Sequence, residues 1–148
     1  DTVQIEGIDS TKRETTARIL DDAKLIIKEK IMTHDKQYAE TNFSVDLDGE
    51  NSSTDVVSRS VAKGESTQLF KSEINGNGVC HGHSECDAII MDNASVKAVP
   101  ALTANNVEAS LVHEAAIGKI AGEQLIKLMT LGLSEEEAEK EIVAGFLK

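Results

Sequence analysis

The chain has 148 residues, of which 40% are hydrophobic and 3% aromatic, and its formal net charge at pH 7 is −11. This length predicts one domain with at most a small appendage, and the acidic balance argues against binding to nucleic acid or to an anionic membrane surface. No apolar run approaches the roughly 18 residues of a membrane-spanning helix, no secretory signal is visible, and two cysteines do not make a disulfide framework. We therefore expect a cytoplasmic protein with free thiols. Because the sequence opens at Asp1 without a methionine, we also expect a piece of a longer protein.

Short strands separated by polar turns are predicted over the first two thirds of the chain. Turn signals recur at steps of about 12 to 16 residues, as in repeat architectures. The runs between them that are richest in β-forming residues are 24–33, 42–47, 55–61, 67–74 and 88–91. Regular short strands suit a β-sandwich, a barrel or a β-solenoid, and the small aliphatic residues with few aromatics favour the solenoid.

The segment 10–32 admits two interpretations. Helical spacing is met by Ala17, Leu20, Lys24, Ile27 and Ile31, which would give an N-terminal helix. An acidic turn and a pair of adjacent isoleucines inside the segment favour strands instead, so we prefer strands and keep the helix as the alternative.

The last third of the sequence predicts two helices. The first covers about 121–131 and ends before Gly132, a residue typical of helix C-termini. Ser134 followed by Glu137 is a capping box, which opens a second helix to about 147. Together they predict a helical hairpin.

The segment 79–91 concentrates the residues that could carry chemistry: Cys80, His81, His83, Glu85 and Cys86. In a strand, alternation would place the two cysteines on one face and the histidines with the glutamate on the other, unless the intervening glycine forms a bulge. The cluster then offers either two thiolates or two imidazoles with a carboxylate. Its spacing is not that of a zinc finger or ribbon, and a buried, chemically inert cysteine is the alternative.

The pair His113 and Glu114 is a weaker signal. The sequence HEAAIGK lacks the second histidine of a zinc-protease helix, so these residues alone indicate a hydrogen-bonding pair as readily as a metal site.

Two segments resemble the C-terminal region of the SufB/SufD family, the scaffold subunits of the SUF iron–sulfur cluster assembly machinery: GHSECDAIIMDNASVKAVPAL and ASLVHEAAIGKIAGEQLIKLMTLGLSEEEAEKEIVAGF. The upstream stretch SSTDVVSRSVAKGESTQLFKSEI is similar to the family's solenoid repeats. The resemblance implies a mostly β fold, a right-handed parallel β-helix followed by a C-terminal helical hairpin. It divides the chain into a β-helix core at 1–112 and a helical domain at 113–148, with a further N-terminal region in full-length members.

The resemblance also implies roles for individual residues. Cys86, the cysteine before DAII, matches the SufB cysteine that receives sulfur or anchors the nascent cluster. Glu114 matches a carboxylate ligand, and His113 matches a histidine found there in both subunits. Cys80, His81 and His83 are weaker metal-binding candidates to which the family gives no role.

The implied partners are a SufC-like ABC-type ATPase, a second SufB/SufD-like subunit and a sulfur donor protein. We expect a SufB-like, non-turnover scaffold that holds an iron–sulfur cluster transiently, with a flavin left open. The residues expected to build or border the ATPase dock are Leu125, Met129, Ile142 and Phe146.

Two functions from other classes remain as alternatives. Polysaccharide hydrolases and lyases share the β-helix architecture, so the fold alone does not separate them from a scaffold. Three Phe and one Tyr in the whole chain make a poor sugar-binding groove. A plain zinc-binding structural module is the second alternative.

Overall fold

The computed structural model describes residues 1–5 and 9–148. Its described part is a parallel β-solenoid of about four turns followed by two helices, so the expected fold class is confirmed. The strands are β1 (Thr2–Gln4), β2 (Ser10–Ile19), β3 (Lys24–Thr33), β4 (Tyr38–Leu47), β5 (Ser52–Ala62), β6 (Thr67–Gly76), β7 (Cys80–Ile90), β8 (Ser95–Ala104) and β9 (Ser110–Gly118). The helices are α1 (Gly122–Thr130) and α2 (Glu135–Phe146).

The strands form two parallel sheets. One has the order β1-β3-β5-β7-β9 and is called sheet A; the other has the order β2-β4-β6-β8 and is called sheet B. Each turn therefore contributes one strand to each sheet and takes about 29 residues, since each of the strands β1 to β7 pairs with the strand two further along the chain. The segment 10–32 forms β2 and β3, as the strand interpretation predicted, because both strands pair along their full length with the next turn.

Alternate side chains point into the solenoid. In β4 the burial alternates over all ten residues, with Phe43, Val45 and Leu47 inside. The rings of Phe43 and Phe70 lie 6.0 Å apart between centroids. The rest of the interior is filled by small aliphatic residues and by hydroxyl side chains, which agrees with the low aromatic content.

One charged side chain is buried among these residues. Glu29 is 3% exposed, and its carboxylate accepts hydrogen bonds from Ser58 Oγ at 2.8 Å and Thr41 Oγ1 at 2.9 Å. Arg13 forms an ion pair with it at 3.3 Å. The buried carboxylate thus has the donors that a charge inside a protein requires.

The corners of the solenoid repeat in structure as well as in sequence. Asp22 and Asn51 occupy the left-handed backbone region at φ 58° and 56°, and Asp35, Gly64 and Asp92 do so at another corner at 50°, 72° and 55°. Asp and Asn tolerate this conformation better than other residues with a Cβ. This preference explains why the predicted turn signals recur at a regular spacing.

The two helices follow the last strand as a hairpin. Ser134 Oγ accepts a hydrogen bond from the Glu137 backbone N–H, and the Glu137 carboxylate accepts one from the Ser134 backbone N–H, so the predicted capping box is present. Gly132 lies between the helices at φ 99°. Around α2, Leu147 packs with Val61 and Met91, which fixes the hairpin against a corner of the solenoid.

Two predicted boundaries differ from the structure. β9 runs to Gly118, so residues 113–118, which we expected at the start of the helical part, belong to the solenoid. The run 88–91 is not a separate strand, since residues 88–90 are the end of β7 and Met91 follows it. No helix in the described ranges is long and apolar enough to cross a membrane.

Candidate functional site

Strand β7 carries the cysteine and histidine cluster, and its side chains alternate as predicted. Cys80, Gly82, Ser84 and Cys86 are buried in the interior, while the residues between them face outward. The bulge at Gly82, which the sequence left open as an alternative, is absent, because the pairing with β5 and with β9 runs through this residue without a break. A Cβ at this position would lie 2.7 Å from the Leu111 Cδ2 atom. Glycine is therefore required by packing, not by a break in the strand.

Cys86 is a buried thiol. It is 1% exposed and packs with Phe43, Val56 and Phe70. Burial, followed by the charges of nearby carboxylates, raises its pKa to about 12. Cys80 is also fully buried, in a separate apolar cluster, and burial raises its pKa as well. Both cysteines are free, and both are thiols at neutral pH in this structure.

The pair predicted to assist Cys86 lies on β9, where its two side chains face opposite sides of sheet A. His113 pairs with Ser84 and points inward, whereas Glu114 pairs with Glu85 and points outward. Opposite Cys86 itself stands Ala115. The structure therefore brings His113 to the interior side that holds Cys86 and places Glu114 on the other side. In residues 1–5 and 9–148, no three His, Cys, Asp or Glu side chains converge as a metal site.

His113 has an open hydrogen-bonding position. Its Nδ1 atom is buried and has no hydrogen-bond partner among the described residues. Burial, and then the charge of His83, lowers the pKa of the imidazole. A neutral imidazole with a free ring nitrogen is the form that binds a metal ion.

The outer side of sheet A carries a second group of polar residues. His83 Nδ1 lies 2.8 Å from Asp55 Oδ1, and His83 Nε2 lies 3.8 Å from Glu114 Oε2. The hydrogen bond to Asp55 raises the pKa of His83. His83 and His81 line an open hollow of about 420 Å³. Asp55 could not be identified from the sequence alone, because its proximity to His83 depends on the strand register.

The last turn of the solenoid is uncovered. Among the described strands, none pairs with the free edges of β8 and β9. Leu102 and Ile117 are 36% and 40% exposed, although Ile74 and Ala88, with which they pair in the preceding turn, are buried. This open end lies one strand away from Cys86.

The first helix of the hairpin also exposes apolar residues. No residue of α1 is buried; Ile126, Met129 and Leu131 are 62%, 43% and 76% exposed. Leu125 is half-buried. Ile126 and Leu131 are not among the docking residues predicted from the sequence, although helical periodicity could have indicated them.

In α2, the predicted docking residues are less accessible. Ile142 is half-buried, and Phe146 packs against the cluster of Val61, Met91 and Leu147.

Comparison with known proteins gives a consistent result. The family model described as "SUF system FeS cluster assembly, SufBD core domain" matches residues 2–146. An iron–sulfur cluster assembly SufBD family protein of Methanothermobacter thermautotrophicus is 41% identical over 103 residues, which cover 68% of this chain and 25% of that protein. Proteins of the same description from Archaeoglobus fulgidus and Pyrococcus horikoshii are 35% identical over 135 residues and 34% identical over 137 residues.

The latter two matches cover 90% and 92% of this chain but 36% and 42% of the relatives. The chain therefore spans between a quarter and about two fifths of the length of these relatives. The match over nearly the whole chain, together with the parallel solenoid and the capped hairpin, shows that the chain belongs to the SufBD family.

Proposed function

We propose that this chain is a scaffold part of the iron–sulfur cluster assembly machinery, in which Cys86 holds sulfur or iron on the way to a cluster. The observation that carries the proposal is the position of Cys86. The thiol lies inside the solenoid, one strand from the open end, and the half-buried His113 lies on the same interior side. The cluster is cargo in this function and does not reside in the protein.

The raised pKa of Cys86 fits a residue that is loaded only when a cation or a sulfur donor reaches it. A metal ion binds the thiolate and displaces the thiol proton. The free energy of coordination therefore offsets the cost of ionising a buried thiol. Until then the thiol stays protonated and is protected from oxidation. His113, as a neutral imidazole whose Nδ1 has no partner in residues 1–5 and 9–148, would supply a second ligand.

The site needs further ligands, and we propose that a second SufB/SufD-like subunit brings them to the open end. Glu114 of the same chain points away from Cys86, so it joins the ligand set only if the edge strand rearranges or if it serves the neighbouring subunit. Unpaired strand edges with exposed apolar residues are favourable places for another chain to add. The assignment as a SufB-like rather than a SufD-like subunit belongs to the same proposal.

We propose that the SufC-like ATPase docks on the helical hairpin. The exposed residues Ile126, Met129 and Leu131, with Leu125 beside them, would form the centre of this surface. Ile142 and Phe146 would border it, since they are partly covered by the solenoid. In this role the chain turns over no substrate itself, receives sulfur from a donor protein and acts in the reducing cytoplasm, where free thiols persist.

Anaerobic reconstitution with Fe²⁺ and sulfide tests the proposal. We expect a chromophore typical of an iron–sulfur cluster in the unmodified chain with its subunit partner, and none after Cys86→Ala. Cys80→Ala is the matched control, because it removes a buried thiol from the same face of the same strand. Equal assembly by the Cys86→Ala protein would contradict the assignment of the thiolate.

A further inference from the structure

A hollow on the outer side of sheet A gathers positively charged side chains, and we call it the basic hollow. Its volume is about 340 Å³, and it lies over β3 and β5. Four cationic side chains line it, against the two carboxylates of Asp1 and Glu85: Lys28, Lys30, Arg59 and Lys148. Because the whole chain has a net charge of −11, this local excess of cations is opposite in sign to its overall charge.

The strand register places two of these cations directly beside each other. Lys30 pairs with Arg59 across β3 and β5, and both side chains point outward. Lys28 is two residues before Lys30 and faces the same side of the sheet. Like charges opposite each other on one face of a sheet are destabilising, and an anion bound between them would remove the repulsion.

The three cations on the strands have no carboxylate partner of their own. In the part of the chain that the structure describes, no ion pair within 4.0 Å involves Lys28, Lys30 or Arg59. Asp87 stands next to Arg59 on the other side, in β7, but does not form an ion pair with it. Acidic residues outnumber basic ones by 26 to 15 in this chain, so carboxylates are not scarce.

Arg59 also has an unused hydrogen-bond donor. Its Nε atom is buried and has no acceptor within residues 1–5 and 9–148. A buried donor without an acceptor is costly and calls for a partner from outside the protein. Glu29 also lines the hollow, but its carboxylate is engaged by Arg13, Ser58 and Thr41. The planar guanidinium of arginine matches two oxygen atoms of a phosphate group.

We propose that the basic hollow binds the phosphate group of a small molecule, with Arg59, Lys28 and Lys30 as its ligands. A phosphate monoester carries a charge of about −1.5 to −2 at pH 7. This charge matches the excess of cationic over acidic side chains in the hollow, whereas a carboxylate would supply less. The volume lies near the lower end of the range of small-molecule sites, roughly 300–1,000 Å³.

This site is separate from Cys86, because the thiol lies on the inner side of sheet A. The proposal therefore goes beyond the proposed scaffold function and does not depend on it. Cys86→Ala, which should abolish cluster assembly, should bind phosphate as the unmodified chain does.

Isothermal titration calorimetry at low ionic strength tests the site, with inorganic phosphate, ADP and adenosine as probes. We expect one phosphate or one ADP per chain and no binding of adenosine, which lacks the phosphate group. Tighter binding of ADP would identify a nucleotide as the source of the phosphate group, and equal binding would identify free phosphate. Losing a hydrogen bond to a charged group weakens binding by roughly 10–100-fold, so Arg59→Gln should lower the affinity by that factor.

Arg18→Gln is the matched control. Arg18 is an exposed arginine on sheet B that already pairs with Asp48, so its replacement should leave the phosphate affinity unchanged. Urea denaturation of each variant establishes that the solenoid is intact. Lys28→Gln provides a second test if Arg59→Gln disturbs the fold, because Lys28 is exposed and its replacement should weaken binding without affecting stability.

Three results would overturn the proposal. The first is that the folded chain binds neither phosphate nor ADP, or binds adenosine as tightly as ADP. The second is unchanged affinity in folded Arg59→Gln and Lys28→Gln proteins. The third is an equal loss of affinity in Arg18→Gln, since the anion would then respond to the charge of the whole surface. Failure of cluster reconstitution, by contrast, would count against the proposed function alone.

Discussion

Replacing Glu29 with methionine is expected to destabilise the solenoid strongly. The carboxylate is 3% exposed and is the common partner of Arg13, Ser58 and Thr41. Removing one member of a buried ion pair usually costs about 3–5 kcal/mol, because the other charge is left without compensation. The Arg13 side chain is 25% exposed and can turn toward water, so we place the loss at the lower end, about 3 kcal/mol.

Urea denaturation followed by circular dichroism measures this loss. Glu14→Met is the control, because Glu14 belongs to an exposed ion pair with Lys12 and its replacement should leave the midpoint unchanged. The double variant with Arg13→Met and Glu29→Met should be more stable than Glu29→Met alone, since no unpaired charge remains. A loss below about 1 kcal/mol in Glu29→Met, or a double variant less stable than the single one, would refute this reasoning.

Two further predictions concern packing and pH. Gly82→Ala places a Cβ 2.7 Å from Leu111 Cδ2 and should cost about 1–3 kcal/mol by overpacking; an unchanged urea midpoint would contradict it. The pKa of Glu40 is lowered from 4.5 to about 2, chiefly by the Tyr38 hydroxyl, so its contribution to stability is complete above pH 4.5 and is lost as the pH falls through about 2. Glu40→Gln should flatten the acid limb of a thermal-denaturation series, and an equally steep limb in both proteins would disprove the assignment.

Alternation and turn chemistry made the solenoid predictable from the sequence. The strand 24–33 is an example. Leu25, Ile27 and Ile31 are alternate residues that face the interior, and Glu29 falls in the same alternation. The pattern thus contained the signal for a buried carboxylate. Its partners Arg13 and Ser58 come from neighbouring turns, and no local pattern reports contacts at that separation.

The candidate site was harder to predict because it depends on register. His113 and Glu114 are adjacent in sequence, and the resemblance groups both with Cys86. Pairing between β7 and β9 places the His113 side chain in the interior and the Glu114 side chain on the outer side of sheet A. The same pairing explains the misplaced boundary at 112/113, since the alanine-rich end of β9 has no clear alternation and becomes a strand only beside β7.

The free edge of β9 has a consequence for the order in which the molecule opens. In a stack where each turn contacts only its neighbours, stability is distributed turn by turn, and the terminal turn opens at the lowest free energy. Backbone amides of β9 should exchange with deuterium before those of β5. Cys86 lies directly beneath that strand, so detachment of nine residues would expose the thiol while the rest of the stack remains closed.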